Sequence, residues 1–409
     1  MDGVKKALYI SYDGMTDALG QSQVLPYLVG LSKKGVQITL ISCEKPEKLE
    51  QFREKIETIC QQATIDWHPL KYTKRPPLLS TLWDLWAIKR KAKQLHRTKK
   101  FDLVHCRSYI AALAGMDLKK RFGLKMVFDM RGFWADERVD GKIWNISNPV
   151  FNKVYRFFKQ KERLFFSESD KIVSLTENGK QEILSWNLPQ VSSDKIVVIP
   201  CCVDTSLFDP ITVEKNKTEE LKTQLGIQPS DYIVGYVGSI GTWYMLPEML
   251  DYFNVLKKHQ PQARFLFVTN EQPSTILNLA QEKGISSSDL LITACFHKEM
   301  PLYISTFDVS VFFILPSYSK KASSPTKQGE IMAMGIPLVC NAGVGDTDSI
   351  VKKYSAGNVV EEFTENQYEK AMNFTTTFNQ KEAQKGALEY FSLDNGVARY
   401  WEIYQEIIG

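Results

Sequence analysis

The chain has 409 residues, enough at about 150 per domain for two to three domains, and 44% apolar with 24% charged residues is globular composition. This excludes a wholly disordered, collagenous or coiled-coil chain, and a net charge of +4 is too balanced for bulk electrostatics to argue for nucleic acid. Cys43, Cys60, Cys106, Cys201, Cys202, Cys295 and Cys340 are odd in number and form no Cys-x-x-Cys pair, which suits a reducing compartment better than a disulfide framework or a zinc site. Lys5 and Lys6 precede only a short apolar run, Ala7–Ile10, so no signal-peptide core is expected there, and no run approaches the roughly 18 apolar residues of a membrane span.

In chain order, short β-branched or aromatic runs alternate with amphipathic stretches, the sequence form of βαβ units on parallel sheets. The first half offers strands at Ala7–Ser11, Val36–Ser42, Leu103–Cys106, Lys125–Phe128, Lys171–Ser174 and Ile196–Ile199, with helices over Val24–Lys34 and Leu82–Arg97. Pro200–Asn216 reads as an inter-domain linker. The second half offers strands at Ile233–Val237, Arg264–Val268, Leu290–Thr293, Val309–Ile314, Pro337–Asn341 and Asn358–Val360. These runs are too apolar for one-sided sheets, so helices are expected on both faces. The expected architecture is α/β, with Rossmann-like doubly wound domains at 1–203 and 204–388 facing across a cleft. The tail 389–409, aromatic at Tyr390, Phe391, Tyr400, Trp401 and Tyr404, is expected as a helix that leaves the second domain.

Open α/β sheets bind ligands beyond the carboxyl ends of their strands, so chemistry is sought just after each strand. Val309–Ile314 is followed by Leu315–Glu330, where Ser324 is expected as a helix N-cap, Pro325 as the first helical residue and Gly335 as the stop. The free N–H groups and dipole of such a helix favour a phosphate. Thr326 and Lys327 add a hydroxyl and a charge in its first turn, and Glu330 offers two acceptor oxygens suited to a ribose diol. The competing reading is an ordinary capped helix with a solvent-facing Glu330. The loop Tyr12–Gln23 carries Gly14 and Gly20 without the G-x-G-x-x-G fingerprint, so Gly20 either admits a phosphate or sugar to the backbone or serves a turn. Gly235–Tyr244 repeats that arrangement in the second half. Asp129, Arg131, Asp136 and Glu137 cluster after Lys125–Phe128 and read as a site rather than a solvated face. Asp346-Thr-Asp348 imitates a metal-binding pair without a nearby His or third carboxylate, the histidines show no ligand spacing, and Gly-x-Ser-x-Gly does not occur. Neither a metal site nor a serine triad is expected.

Taken together, the Gly14–Gly20 loop, Val198–Asp204, Ser324–Val339 and the Phe391–Tyr404 tail resemble the retaining glycosyltransferases of family 4 over essentially the whole chain. The resemblance implies the GT-B fold, with the C-terminal helix crossing back to the first domain. It implies a hexosyltransferase that moves a sugar from a nucleotide diphosphate sugar to an acceptor hydroxyl with retention, without a metal or other cofactor, in bacterial surface glycan or polysaccharide biosynthesis. By the same resemblance Glu330 binds the donor ribose and backbone amides at the start of its helix bind the diphosphate. The implied donor-binding set is Glu330, Thr326, Pro325, Ser324, Ser323, Gly238, Ser239, Trp243, Phe296, His297 and Gly20. Arg131, Asp129 and Lys327 are implied at the reaction centre, and Asp136, Glu137 and Gln21 on the acceptor side. Two departures stand out. Ala322 replaces the first of the family's two glutamates eight positions apart, leaving Ser323 or Ser324 to substitute. Ser239 and Tyr244 stand roughly where an Arg and a Lys usually follow the first strand of the second domain, so Lys327, or Lys320 and Lys321, is the expected replacement. Gly241-Thr-Trp-Tyr with Ser-Pro-Thr-Lys marks a subset of the family.

Two rivals stand beside this reading: a nucleotide-sugar 2-epimerase, which shares the fold, and a non-catalytic nucleotide-sugar-binding partner of a glycan assembly system. The expected partners are a nucleotide sugar donor and a glycan or lipid-linked acceptor, with no nucleic acid. The expected setting is cytoplasmic, peripheral on the inner membrane. Leu82, Leu85, Ile88, Ala92 and Leu95 are expected to pack on the first sheet, turning Lys89, Arg90, Lys91, Lys93 and Arg97, edged by Trp83 and Trp86, toward an anionic bilayer. Arg156–Phe166 offers a second basic and aromatic stretch, and a crossover helix with a solvated face is the alternative.

Overall fold

The computed structural model describes residues 5–409, which divide into two compact units, one running to Pro200 and taking in Leu393–Gly409, the other Cys201–Ser392. The first unit is built on seven strands, β1 (Lys6–Ser11), β2 (Gln37–Glu44), β3 (Asp66–Lys71), β4 (Leu103–Arg107), β5 (Lys125–Asp129), β6 (Lys171–Ser174) and β7 (Ile196–Val198), in the order β3-β2-β1-β4-β5-β6-β7. The second is built on six, β8 (Tyr232–Val237), β9 (Ala263–Val268), β10 (Leu290–Thr293), β11 (Val309–Phe312), β12 (Leu338–Asn341) and β13 (Gly357–Val360), in the order β10-β9-β8-β11-β12-β13. All pairings within both sheets are parallel. Strands such as β4 and β11 are buried along their whole length, as helices on both faces require. These are two Rossmann-like doubly wound domains of the GT-B fold.

In each sheet the order reverses beside its first strand, between β1 and β4 and between β8 and β11. The crossovers there leave to opposite faces, so the loops after those strands splay apart and open a crevice at the carboxyl edge. Gly14 and Arg107 lie at the first such point, and Gly238 and Ser324 follow the two strands that flank the second.

Four local expectations need correcting. The strand β3 was not anticipated. It is a polar, half-buried edge strand, Asp-Trp-His-Pro-Leu-Lys, and only an edge tolerates Pro69, which has no N–H to donate. Residues from Cys201 onward are not a free linker: Val203 and Phe208 enter the core of the second unit, and Val203 N donates to Phe391 O at 2.7 Å. The tail is not one helix. A π turn, Ala387–Phe391, ends at Ser392, and the α-helix Leu393–Ile408 then packs on the helix Leu25–Lys33 of the first unit, with Tyr400 edge-on to Tyr27 at 5.5 Å. Leu82 is exposed rather than packed on the sheet. The helix Leu79–Lys99 buries Asp84, Ile88, Ala92 and Leu95 instead, because Asp84 accepts from Tyr12 Oη and Thr73 N, both at 3.0 Å.

Candidate functional site

In the second unit the segment after β11 leads into the helix Thr326–Ala333, which is buried from Lys327 to Ala333. Pro325, not Ser324, occupies the N-cap position, and the helix has no side-chain cap. Ser324 Oγ is engaged elsewhere, accepting from Cys201 N at 3.2 Å. The N–H groups of the first turn therefore lack the oxygen that a capping Ser would have supplied. Thr326 and Ser323 are half-buried beside them.

Lys327 and Glu330, three apart, share one face of this helix. Lys327 is 7% exposed; its Nζ lies 4.0 Å from the ring centre of Tyr236 on β8 and 3.8 Å from that of Tyr244. Among the described residues Nζ finds no hydrogen-bond partner. Burial pushes its pKa well below the ordinary lysine value, against the pull of Glu330. Gly238 sits opposite with φ +103°, a conformation that L side chains rarely adopt, and a Cβ there would meet Nζ at 3.4 Å. The loop that carries this wall is fixed to the chain beyond β11: Met245 N donates to Phe313 O at 2.9 Å and Leu315 N to Trp243 O at 2.8 Å. Trp243 presents its ring to Lys320, whose Nζ is 3.7 Å from the ring centre, while Tyr236 Oη donates to Ser239 O.

Glu330 is buried, and its Oε1 lies 2.9 Å from His297 Nε2. That hydrogen bond raises the His297 pKa above its ordinary value, overcoming the opposing effect of burial. His297 lies in the short turn after β10 with its ring 5.4 Å from that of Phe208. Its neighbour Phe296 is 72% exposed, an apolar ring on the surface beside the pair. Glu330 is thus not a solvent-facing residue of an ordinary helix. The arrangement offers a helix start without a side-chain cap, one caged amine, a carboxylate held by a histidine and an open aromatic ring, which suits a phosphorylated, hydroxyl-bearing ligand with a flat base.

The first unit holds a different cluster. Asp129, at the end of β5, is fully buried, with Oδ2 3.0 Å from Tyr400 Oη, 3.7 Å from His105 Nε2 and 3.8 Å from Arg107 Nη1. Arg131 Nη1 lies 3.9 Å from its Oδ1, on a residue with φ +57°. Burial alone would raise the Asp129 pKa; Arg131, then His105 and Arg107, outweigh it and hold the carboxyl ionised. Tyr404 Oη meets His105 Nδ1 at 2.7 Å, so the returning C-terminal helix closes this network. Asp136 is also buried and engaged, by Tyr155 Oη at 2.8 Å and Lys159 Nζ at 2.7 Å, whereas Glu137 is half-buried. Gln21 donates to Thr16 O at 3.1 Å and accepts from Lys55 Nζ at 2.7 Å. Gly20 is no loop glycine. It lies inside the helix Ala18–Gln23, and a Cβ there would fall 2.2 Å from Gly14 O, so two backbone segments touching is what demands glycine.

Sequence reasoning missed Tyr236, Tyr244, Arg107 and His105 as members of these clusters. The signal available was their position at or near the carboxyl ends of β8 and β4, beside each reversal of strand order. Among the described residues no three His, Cys, Asp or Glu side chains are grouped to hold a metal ion, and no helix is long and apolar enough to cross a membrane.

Residues 23–207 match Glycosyltransferase Family 4, and residues 217–385 match Glycosyl transferases group 1. The chain is built of family 4 and group 1 glycosyltransferase domains. It is accordingly a glycosyltransferase that takes its sugar from a nucleotide sugar, in a family that retains anomeric configuration. No curated protein matches the chain significantly. Among solved structures, sucrose-phosphate synthase from Thermosynechococcus elongatus is 15% identical, with 98% of this chain and 99% of that one covered and a TM-score of 0.75. HepE from Anabaena, in complex with UDP-glucose, is 13% identical over 98% and 99%, with a TM-score of 0.70. A UDP-N-acetylglucosamine 2-epimerase from Listeria monocytogenes, itself described as unproven, is 13% identical over 97% and 95%, with a TM-score of 0.60. At these identities the three structures speak for the fold alone.

Proposed function

We propose that the family 4 glycosyltransferase described here is a metal-independent hexosyltransferase acting in surface glycan or polysaccharide biosynthesis. The carrying observation is the Lys327–Glu330 face: a caged amine and a histidine-held carboxylate one turn apart at the start of one helix. In this reading the first-turn amides and Lys327 take the diphosphate, with Ser323, Ser324, Pro325 and Thr326 shaping the turn, and Glu330 takes the ribose diol. Gly238, Ser239 and Trp243 form the facing wall, and Phe296 and His297 border the base. Glycosyl transfer depends on charge stabilisation of the departing diphosphate, and in this reading the first-turn N–H dipoles and the Lys327 amine supply it. Arg131 is proposed at the reaction centre with Asp129 fixing its guanidinium, and Asp136, Glu137, Gln21 and Gly20 belong to the acceptor-side and donor-side surroundings proposed on the first unit.

A peripheral membrane setting belongs to the same proposal, on the expected basic face with exposed Leu79 and Leu82 added to it. Leu79, Leu82, Trp83 and Trp86 form an exposed stripe at the start of the helix Leu79–Lys99, with Arg90 stacked on Trp86 at 5.4 Å. Apolar rings flanked by cations suit the interface of an anionic bilayer and a lipid-linked acceptor.

The test is turnover. A panel of nucleotide sugars is incubated with lipid and glycan acceptors, and products are read by mass spectrometry. Sugar transfer with retention in the presence of EDTA is the expected result. Free nucleotide and an epimerised sugar released without acceptor would establish the 2-epimerase instead, and tight donor binding without any product would establish a binding partner.

A further inference from the structure

The least explained group in the molecule is the amine of Lys327. A lysine ammonium carries three donors, and at this position none is satisfied among the described residues. Two tyrosine rings face it at 3.8 and 4.0 Å, but a ring face offers a cation only its quadrupole and no lone pair. The carboxylate one turn on, Glu330, is hydrogen-bonded to His297 instead. Gly238 leaves the amine unobstructed from its side. A neutral amine tolerates such a cage far better than an ammonium does, because the desolvation cost falls on the charged form.

We propose that Lys327 waits uncharged in the free protein and takes up a proton as a diphosphate anion binds. The inference rests on the donor-site reading above. A proton from solvent adds to the Nζ lone pair, and the new N–H donors meet phosphate oxygens that the empty cage lacks. No other bond changes. The anion's charge replaces the missing hydration, so the amine titrates higher in the complex than in the free protein. By linkage, binding then weakens as pH rises between the two values, by about tenfold per pH unit for one linked proton.

The groups that surround the amine leave this titration distinguishable. Tyr236 and Tyr244 form the cage. Burial pushes the Tyr236 hydroxyl well up, with Tyr244 and Glu271 adding to it, and pushes that of Tyr244 up to about 12, with Cys201 and Glu330 adding to it. Both rings therefore stay neutral across the working range. Glu330 is the charged neighbour of the amine, and His297, whose pKa that same carboxylate raises above the ordinary histidine value, is the group to be separated from it.

The experiment is isothermal titration of the full chain with inorganic pyrophosphate and with a nucleoside diphosphate at about pH 8, in buffers of different ionisation enthalpy. Wild type is expected to take up about one proton on binding either ligand, and His297→Gln to keep that uptake. Lys327→Arg, charged at every pH used, is expected to bind without it. Uptake near zero in wild type overturns the inference, and so does equal uptake in wild type and Lys327→Arg. If the arginine variant does not fold, wild type and His297→Gln decide between those outcomes. Pyrophosphate binding with uptake, but no preference for a nucleoside diphosphate over pyrophosphate, would uphold the proton linkage and bring down the nucleotide reading. Nucleotide binding without uptake would do the reverse.

Discussion

Replacing Glu330 with Gln separates its proposed role from its structural one. The carboxylate is 7% exposed and engages His297 Nε2 at 2.9 Å. A glutamine of the same shape fills the space and leaves no cavity, and the His297 side chain is 51% exposed, so water reaches a histidine that loses its partner. The cost to folding is therefore small, within about 1 kcal/mol, or a few degrees in Tm for a chain of this size. Nucleotide affinity is a different matter. A ribose diol held by a carboxylate makes charge-assisted hydrogen bonds worth about 1.5–3 kcal/mol, which is roughly 10- to 150-fold in Kd. Titration calorimetry with a nucleoside diphosphate, with the nucleoside alone and with pyrophosphate, paired with thermal melts, reads both effects. Nucleoside and nucleoside diphosphate are expected to weaken together while pyrophosphate is unchanged. Unaltered nucleoside diphosphate binding in a folded Glu330→Gln protein would refute the ribose assignment.

The His297–Glu330 bond also predicts a pH dependence of stability. Because the His297 pKa is raised on folding, its contribution is complete below the unfolded value of about 6.5 and is lost as pH rises through the folded value; melts of wild type and His297→Asn should converge along that rise, and a gap that widens with pH would contradict it. Gly20→Ala places a Cβ 2.2 Å from Gly14 O and 2.6 Å from Met15 Cα, so chemical denaturation should show a loss of about 1–3 kcal/mol, and a neutral result would mean that the loop yields. Tyr400→Phe removes the 3.0 Å donor to buried Asp129 and should cost about 1–3 kcal/mol by the same measurement, a cost absent if a neighbouring arginine closes in. Leu82→Ser with Trp83→Ser should abolish sedimentation with anionic liposomes and leave Tm within a degree or two, since both side chains are exposed; retained binding would move the membrane contact elsewhere.

The doubly wound fold was legible because strands covered on both faces are nearly unbroken apolar runs, a pattern that β1, β4, β8 and β11 all carry. It failed where burial is one-sided: the edge strand β3 has too few apolar residues to register. The buried face of Leu79–Lys99 was legible at Ile88, Ala92 and Leu95 and misplaced at Leu82, because periodicity counts only apolar residues and the first turns are set by the buried, hydrogen-bonded Asp84. In the candidate site, Glu330 and Lys327 were visible as a carboxylate and a charge at the start of a helix that follows a strand. Their surroundings were not, because Tyr236 and Tyr244 look like ordinary strand and loop aromatics until the fold brings them around the amine. Ser324 was over-read as a cap, since sequence cannot show that its hydroxyl already serves Cys201 N.

The two departures from the family pattern belong together physically. Where the resemblance implies cations in the loop after the first strand of the second domain, this chain has roughly Ser239 and Tyr244, and the ring of Tyr244 instead walls an amine that arrives from the helix. Where the resemblance implies a second carboxylate, position 322 is an alanine that is 1% exposed. A carboxylate so deeply buried costs several kcal/mol unless a cation pairs with it. Had Ala322 been an acid, it would have needed such a partner, and a lysine committed to a neighbouring carboxylate is already charged and less available to an incoming phosphate. With alanine at 322, the Lys327 amine finds no hydrogen-bond partner among the described residues, and Glu330 bonds His297 rather than the amine. If the proposed donor site is right, its positive charge is created by its ligand, in place of being held fixed in advance.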